Sequence, residues 1–167
     1  RDKLVTGVQT CALPIWIKLW AIGNEMYGDW QLGHMPLSEY VKKHNRVVDA
    51  MRAADPKIVP IAVGAVGDWT KQMLTSSAGH MSLLSEHTYW QSRPDVPAHV
   101  EQAVSAIRRI ADAHRAYRKE LPSLKGKDIR LALDEWNYWY GPNEYGELGT
   151  RYFLQDGLGA AAALHEM

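Results

Sequence analysis

Short, nearly all-apolar runs alternate four times with stretches of helical period between residue 16 and the end of the chain, and this alternation limits the fold more than any other feature. Residues 16–22 (Trp-Ile-Lys-Leu-Trp-Ala-Ile) read as a strand buried on both faces and ending at Gly23. Leu37, Tyr40, Val41, His44, Val47, Val48 and Met51 recur at spacings of three and four, the signature of an amphipathic helix, which Asp55-Pro56 stops. A second apolar run covers 57–64. Its Pro60 lacks a backbone donor and belongs at the strand's first turn or at an unpaired position. A weakly patterned helix is expected over 69–77, and a third apolar run over 81–85. The best-patterned helix follows, with Val100, Ala103, Val104, Ile107, Ile110, Ala111 and His114 on one face. Residues 129–133 form the fourth strand, and an Ala-rich helix begins near Asp156 or Gly157.

Alternation of this kind implies parallel strands joined by right-handed crossovers, in a doubly wound sheet or a (β/α)8 barrel. A complete barrel takes about 250 residues, so four βα units correspond to half of one, with edge strands left open. Lys and Arg number 19 and Asp and Glu 19, giving a formal net charge of zero and no electrostatic case for nucleic acid or anionic lipid. The chain contains no apolar run near the roughly 18 residues of a bilayer span. Its aromatic usage is unusual: 7 Trp and 8 Tyr against one Phe, and rings with an apolar face and a polar edge suit both cores and sugar-stacking surfaces.

In both architectures chemistry gathers at the carboxyl ends of the strands. The first run ends in Gly23-Asn24-Glu25, the third in Glu86-His87-Thr88-Tyr89-Trp90, and the fourth in Asp134-Glu135-Trp136-Asn137. Glu25 and Glu135 are far apart in sequence and face each other only if the sheet curls, as a barrel does. Two carboxylates across a sugar-sized gap suit glycoside hydrolysis: one gives a proton to the departing oxygen while the other attacks or stabilises the anomeric carbon. Tyr27, Trp30, Trp90, Trp136, Trp139 and Tyr140 can wall such a site, and Asn24, Asn137 and His87 can supply directed hydrogen bonds. Asp134, next to Glu135 on a strand, is expected to point to the opposite side and to make a structural salt bridge or hydrogen bond.

The segments Trp20-Ala21-Ile22-Gly23-Asn24-Glu25-Met26-Tyr27-Gly28 and Leu133-Asp134-Glu135-Trp136-Asn137 resemble the two signature strands of glycoside hydrolase family 51, the α-L-arabinofuranosidases, within a clan of retaining (β/α)8-barrel glycosidases. The resemblance runs from about residue 16 to the end and corresponds to about the fourth to seventh βα units. It implies that Glu25 is the acid/base, Glu135 the nucleophile and Asn24 a ligand of the hydroxyl beside the anomeric carbon. It also places His87 and Tyr89 beside the nucleophile. The chemistry of the residues alone does not order the two acids. Another retaining glycosidase of the clan, such as a xylosidase or endoglucanase, and an inactive carbohydrate-binding or structural fragment are the alternatives.

The resemblance implies no organic cofactor and no metal, and the histidines show no ligand spacing such as H-E-x-x-H. The expected partner is a carbohydrate, with no nucleic acid and no membrane, and the complete enzyme is a candidate homo-oligomer. The compartment is left open, with the cytoplasm slightly favoured. Both ends read as cut, so the chain is expected to be a piece of a longer protein. Residues 5–15 resemble translated sequencing adapter, and residues 1–15 are set aside as a non-native leader, which removes Cys11 from any redox argument, leaving 16–167 as a partial barrel domain. Gly157-Leu158-Gly159-Ala160-Ala161-Ala162 matches a loose dinucleotide-binding pattern, but the chain ends before the acidic residue that pattern needs.

Overall fold

The computed structural model describes residues 17–142 and 151–167; the leader assigned to residues 1–15 lies outside them. Four strands alternate with four helices: β1 (Leu19–Ala21), α1 (Leu37–Ala54), β2 (Val59–Val63), α2 (Asp68–Ser76), β3 (Leu83–Trp90), α3 (Val96–Glu120), β4 (Arg130–Tyr138) and α4 (Leu154–Glu166), with a short 3-10 turn at Pro122–Leu124. The strands pair in parallel in the order β1-β2-β3-β4, which is half of a (β/α)8 barrel. Every strand therefore ends on the same side of the sheet.

Local sequence accounts for the boundaries. Asp95 caps α3 by accepting a hydrogen bond from the Ala98 N–H at 2.9 Å, and Pro97 lies in its first turn, where the missing donor costs nothing. The helix runs 25 residues, beyond the patterned segment at both ends. Pro60 is the second residue of β2, one position ahead of Ile61, where pairing with β3 begins. The missing N–H thus costs no ladder bond there. Gly64 follows β2 where backbones nearly touch: a Cβ on it would lie 2.2 Å from the Ser85 carbonyl oxygen.

Three expectations change. β1 is a three-residue edge strand with all its residues exposed, Leu19 at 58% and Trp20 at 40%, and is not buried on both faces. Nothing among the described residues pairs its outer side, so the apolar run lacks the neighbour that would cover it. β3 and β4 continue through Trp90 and Tyr138, so the chemistry-bearing residues lie within the strands and not after them. Asp134 does not take the opposite side from Glu135, for reasons of register given below.

The core has two parts. One gathers Tyr40, Ala62, Met73, Leu74, Met81 and Leu84 between β2, β3 and helices α1 and α2. The other gathers Trp90, Ala106, Ile107, Tyr138 and Ala163 between the ends of β3 and β4 and helices α3 and α4. Trp90, 3% exposed, packs edge-on against Tyr138 at 5.1 Å between centroids and is a core residue, not a wall of the site.

Candidate active site

Glu25 sits in the turn after β1 with φ +43°, the one non-glycine residue at positive φ among the described residues. A left-handed backbone costs a glutamate on the order of 1 kcal/mol. Gly23, at φ +93°, makes the same turn without that cost. The turn aims the Glu25 side chain across the carboxyl ends of the strands. There Nδ1 of His87 on β3 lies 3.0 Å from Oε1 of Glu25 and 3.5 Å from Oε2 of Glu135 on β4. One oxygen of each glutamate and the ring nitrogen all fall within 4.8 Å of one another. The sheet curls enough to bring the two acids together.

Donors surround Glu25. Nε1 of Trp30 donates to Oε2 at 2.7 Å, Nε2 of Gln31 to the same oxygen at 3.3 Å, and the Tyr27 hydroxyl to Oε1 at 3.4 Å. Burial pushes the Glu25 carboxyl up, but hydrogen bonds from His87, Trp30 and Gln31, with the charge of His87, outweigh it and hold the group below the usual carboxylate range. The Tyr89 hydroxyl donates to Oε1 of Glu135 at 2.6 Å. Burial, and the hydrogen bond to and charge of Glu135, push that phenol well above its ordinary range, so it remains a donor.

Asp134 joins this group through a β-bulge. Glu86 pairs with Leu133 and the next residue, His87, pairs with Glu135, so Asp134 is an extra residue on β4. The extra residue cancels strict alternation, and Asp134 and Glu135 both reach the His87 ring. Oδ1 of Asp134 lies 3.4 Å from Nε2 and takes a hydrogen bond of 2.7 Å from the Ser85 hydroxyl, whose oxygen is 3.1 Å from the same nitrogen. The expected structural hydrogen bond of Asp134 exists; its side is the reverse of the expected one.

Glu86, one residue before His87, faces the opposite way and is 2% exposed. Its Oε1 accepts from the Thr70 hydroxyl of α2 at 2.7 Å and lies 2.9 Å from Nε2 of His114 on α3, while Oε2 accepts from the Val66 N–H at 3.0 Å.

Of the residues singled out in the sequence, the structure brings together Glu25, Glu135, His87 and Tyr89. Asn24 is exposed in the turn beside Glu25, and its side chain forms no hydrogen bond among the described residues. Asn137 donates to the Tyr152 hydroxyl at 3.0 Å, and Tyr140 donates to buried Asp156 at 2.5 Å, outside the group. Sequence reasoning treated Trp30 only as a wall and passed over Gln31 and Ser85. The first two lie five and six positions after Glu25 in a turn-rich segment, so only the folded turn reveals them as its donors. The Glu25, His87 and Glu135 atoms are also near enough for one cation to touch all three. No linear spacing signals this, because they come from three separate strand ends.

Parallel strands whose carboxyl ends bring two carboxylates and an imidazole together match the place where barrel enzymes carry their chemistry. No protein-family model matches the chain. It is 34% identical over 142 residues to "Intracellular exo-alpha-(1->5)-L-arabinofuranosidase 1" of Bacillus subtilis, which covers 78% of this chain and 28% of that protein. It is 33% identical over 156 residues to a Bifidobacterium longum "Intracellular exo-alpha-(1->5)-L-arabinofuranosidase", covering 83% and 27%. The GH51 α-L-arabinofuranosidase structure from Thermotoga petrophila RKU-1 superposes with a TM-score of 0.77 at 32% identity, over 88% of this chain and 30% of that one. Over most of its length the chain is thus similar to α-L-arabinofuranosidases, with glycoside hydrolase family 51 structures among its neighbours, and it spans less than a third of the length of these relatives.

Proposed function

We propose that residues 16–167 are the part of a retaining α-L-arabinofuranosidase that carries both catalytic acids, acting on arabinose-containing oligosaccharides. The carrying observation is the approach of Glu25 and Glu135 at the carboxyl ends of parallel strands, with an oxygen of each within 4.8 Å. A retaining pair stands about 5 to 5.5 Å apart, whereas an inverting pair needs about 6.5 to 9.5 Å to admit a water. The separation supports direct attack by a carboxylate.

In this reading Glu25 is the acid/base and Glu135 the nucleophile. Glu135 forms an ester with the anomeric carbon as Glu25 protonates the leaving oxygen, and Glu25 then takes a proton from the water that cleaves the ester. Tyr89 holds Oε1 of Glu135 and leaves Oε2 for attack. In the same reading Asn24, exposed beside Glu25, binds the adjacent sugar hydroxyl. A general acid must arrive protonated, yet the ligand-free site favours ionised Glu25. A leaving group that displaces Trp30 and Gln31 removes two of the hydrogen bonds that hold it ionised, and burial then raises its proton affinity.

The test places residues 17–167 in the barrel of the B. subtilis relative, in exchange for the matching segment. The chimera is expected to release nitrophenol from nitrophenyl α-L-arabinofuranoside with retention of configuration. Glu135→Ala should reduce turnover by at least roughly a thousandfold. Turnover that survives Glu135→Ala overturns the assignment, and faster cleavage of a β-xyloside or β-glucoside would reassign the sugar.

A further inference from the structure

His87 lies among more carboxylates than a neutral imidazole can serve. Glu25 and Glu135 face Nδ1 at 3.0 and 3.5 Å, and Asp134 faces Nε2 at 3.4 Å. A neutral ring has one N–H. The Ser85 hydroxyl gives its proton to Asp134 at 2.7 Å, so its oxygen is left to accept from Nε2 at 3.1 Å. Two acceptors thus converge on Nε2, and a lone pair there would face a carboxylate at 3.4 Å.

We propose that Asp134 and Ser85 are positioning residues that fix an N–H on Nε2 of His87, so that Nδ1 and Oε1 of Glu25 share one further proton beside the nucleophile. The consequence for catalysis rests on the arabinofuranosidase reading; the state of the ring does not. In that reading the shared proton is the one delivered. It resides on Oε1 when the leaving oxygen arrives and passes to that oxygen as the glycosidic C–O bond breaks and an oxygen of Glu135 bonds to the anomeric carbon. His87 is then neutral, with its N–H on Nε2. When water attacks, Glu135 leaves as a carboxylate and Glu25 takes the water's proton, which restores the shared pair. Water is consumed and no proton is gained or lost overall.

The groups facing the ring are few. Glu25 and, behind it, Tyr27 come from the turn after β1; Ser85 and Tyr89, the latter through Glu135, from β3; and Asp134 and Glu135 from β4. Arg109 of α3 borders a cavity that His87 and Glu86 also line. Glu86 is turned away and occupied by Thr70 of α2 and His114 of α3. The bulge at Asp134 is what makes the arrangement possible, since strict alternation along β4 would leave only one of Asp134 and Glu135 on the face of His87.

Nitrogen NMR of the histidine-labelled chain tests this directly, with His87→Gln identifying the ring signals. The expected result is a protonated Nε2 throughout and an Nδ1 signal that titrates. In Asp134→Asn that titration moves to lower pH by about 0.5 to 1 unit, because a neighbouring anion no longer favours the charged ring. Ser85→Ala moves it less, in the same direction, and Asp134→Glu restores it. In the chimeric barrel, Asp134→Asn should shift the alkaline limb of kcat/KM to lower pH, which a merely structural residue would leave in place. An N–H found on Nδ1 of the neutral ring, or an unchanged titration in a folded Asp134→Asn or Ser85→Ala protein, overturns the proposal. If the chimera cleaves no arabinofuranoside while the ring behaves as described, the functional reading fails and this one stands.

Discussion

His87 and His99 each meet a carboxylate, at 3.0 Å from Glu25 and 2.7 Å from Asp156, yet the two pairs are built on opposite accounting. Around His99 everything closes. The Arg93 N–H donates to Nδ1, which leaves Nε2 to donate to Oδ1 of Asp156. Tyr140 gives a second hydrogen bond to that oxygen, and the Phe153 N–H gives one to Oδ2. Tyr138 stacks on the ring at 4.3 Å and donates to the His99 carbonyl at 2.7 Å. One carboxylate satisfies three donors, no second carboxylate meets the ring among the described residues, and the result ties α3, α4 and the end of β4 together. Around His87 three carboxylates contend for one ring at a partly open strand end. Closed networks hold elements in place, whereas an excess of acceptors over donors leaves a group able to exchange a proton or bind something.

The widest separation between the two sites should appear on removing their carboxylates. Asp156→Ala leaves the buried His99 ring without its acceptor and removes two part-buried hydrogen bonds, from Tyr140 and the Phe153 N–H, and is expected to cost about 3 to 5 kcal/mol, a fall in Tm on the order of 10 °C. Glu135→Ala, at a half-open site, should move Tm by no more than about 2 °C while abolishing turnover. Calorimetry of both variants decides it, and equal losses of stability would end the contrast.

A third histidine sharpens the rule, because it has no carboxylate at all. His44 is fully buried, 3.5 Å from the Tyr40 hydroxyl and 3.3 Å from the His80 carbonyl, and burial pushes its pKa down to about 4. The unfolded chain therefore takes up this proton first as pH falls. Stability should decline from about pH 6.5 to about pH 4, by about 3 kcal/mol in total. Denaturant unfolding across that range should show the slope, and His44→Gln, which keeps a donor for the His80 carbonyl, should remove this histidine's share of it.

The smallest effect is expected at Tyr89. Tyr89→Phe removes a 2.6 Å hydrogen bond to Glu135 but no buried packing, the ring being 43% exposed. A fall in kcat of roughly tenfold in the chimeric barrel, with Tm unchanged, would place that hydroxyl in the chemistry. A drop in Tm with kcat intact would put Tyr89 on the structural side with His99.

Hydrophobic period was enough to order the elements, because burial on a helix stripe or in a strand is a local property of the pattern. The glutamates after the first run and in the fourth were legible for the same reason: parallel strands all end on one side. Strand length was less legible. Glu86 and His87 look like loop residues, yet β3 continues through them because Glu86 finds Thr70, the Val66 N–H and His114 to satisfy it. The trio of Asp156, His99 and Tyr140 left no mark in the sequence, since its members lie on two helices and beyond a strand end.

The amino-acid order alone thus determined which residues stand at the mouth of a half-barrel, since periodicity and parallel connection follow from local sterics and burial. It did not determine which side Asp134 faces, which carboxylates meet which imidazole, or that β1 is an open edge. Those depend on one extra residue in the β3–β4 register and on what lies beside each strand. Pairing between distant segments settles such things, and no local pattern encodes it.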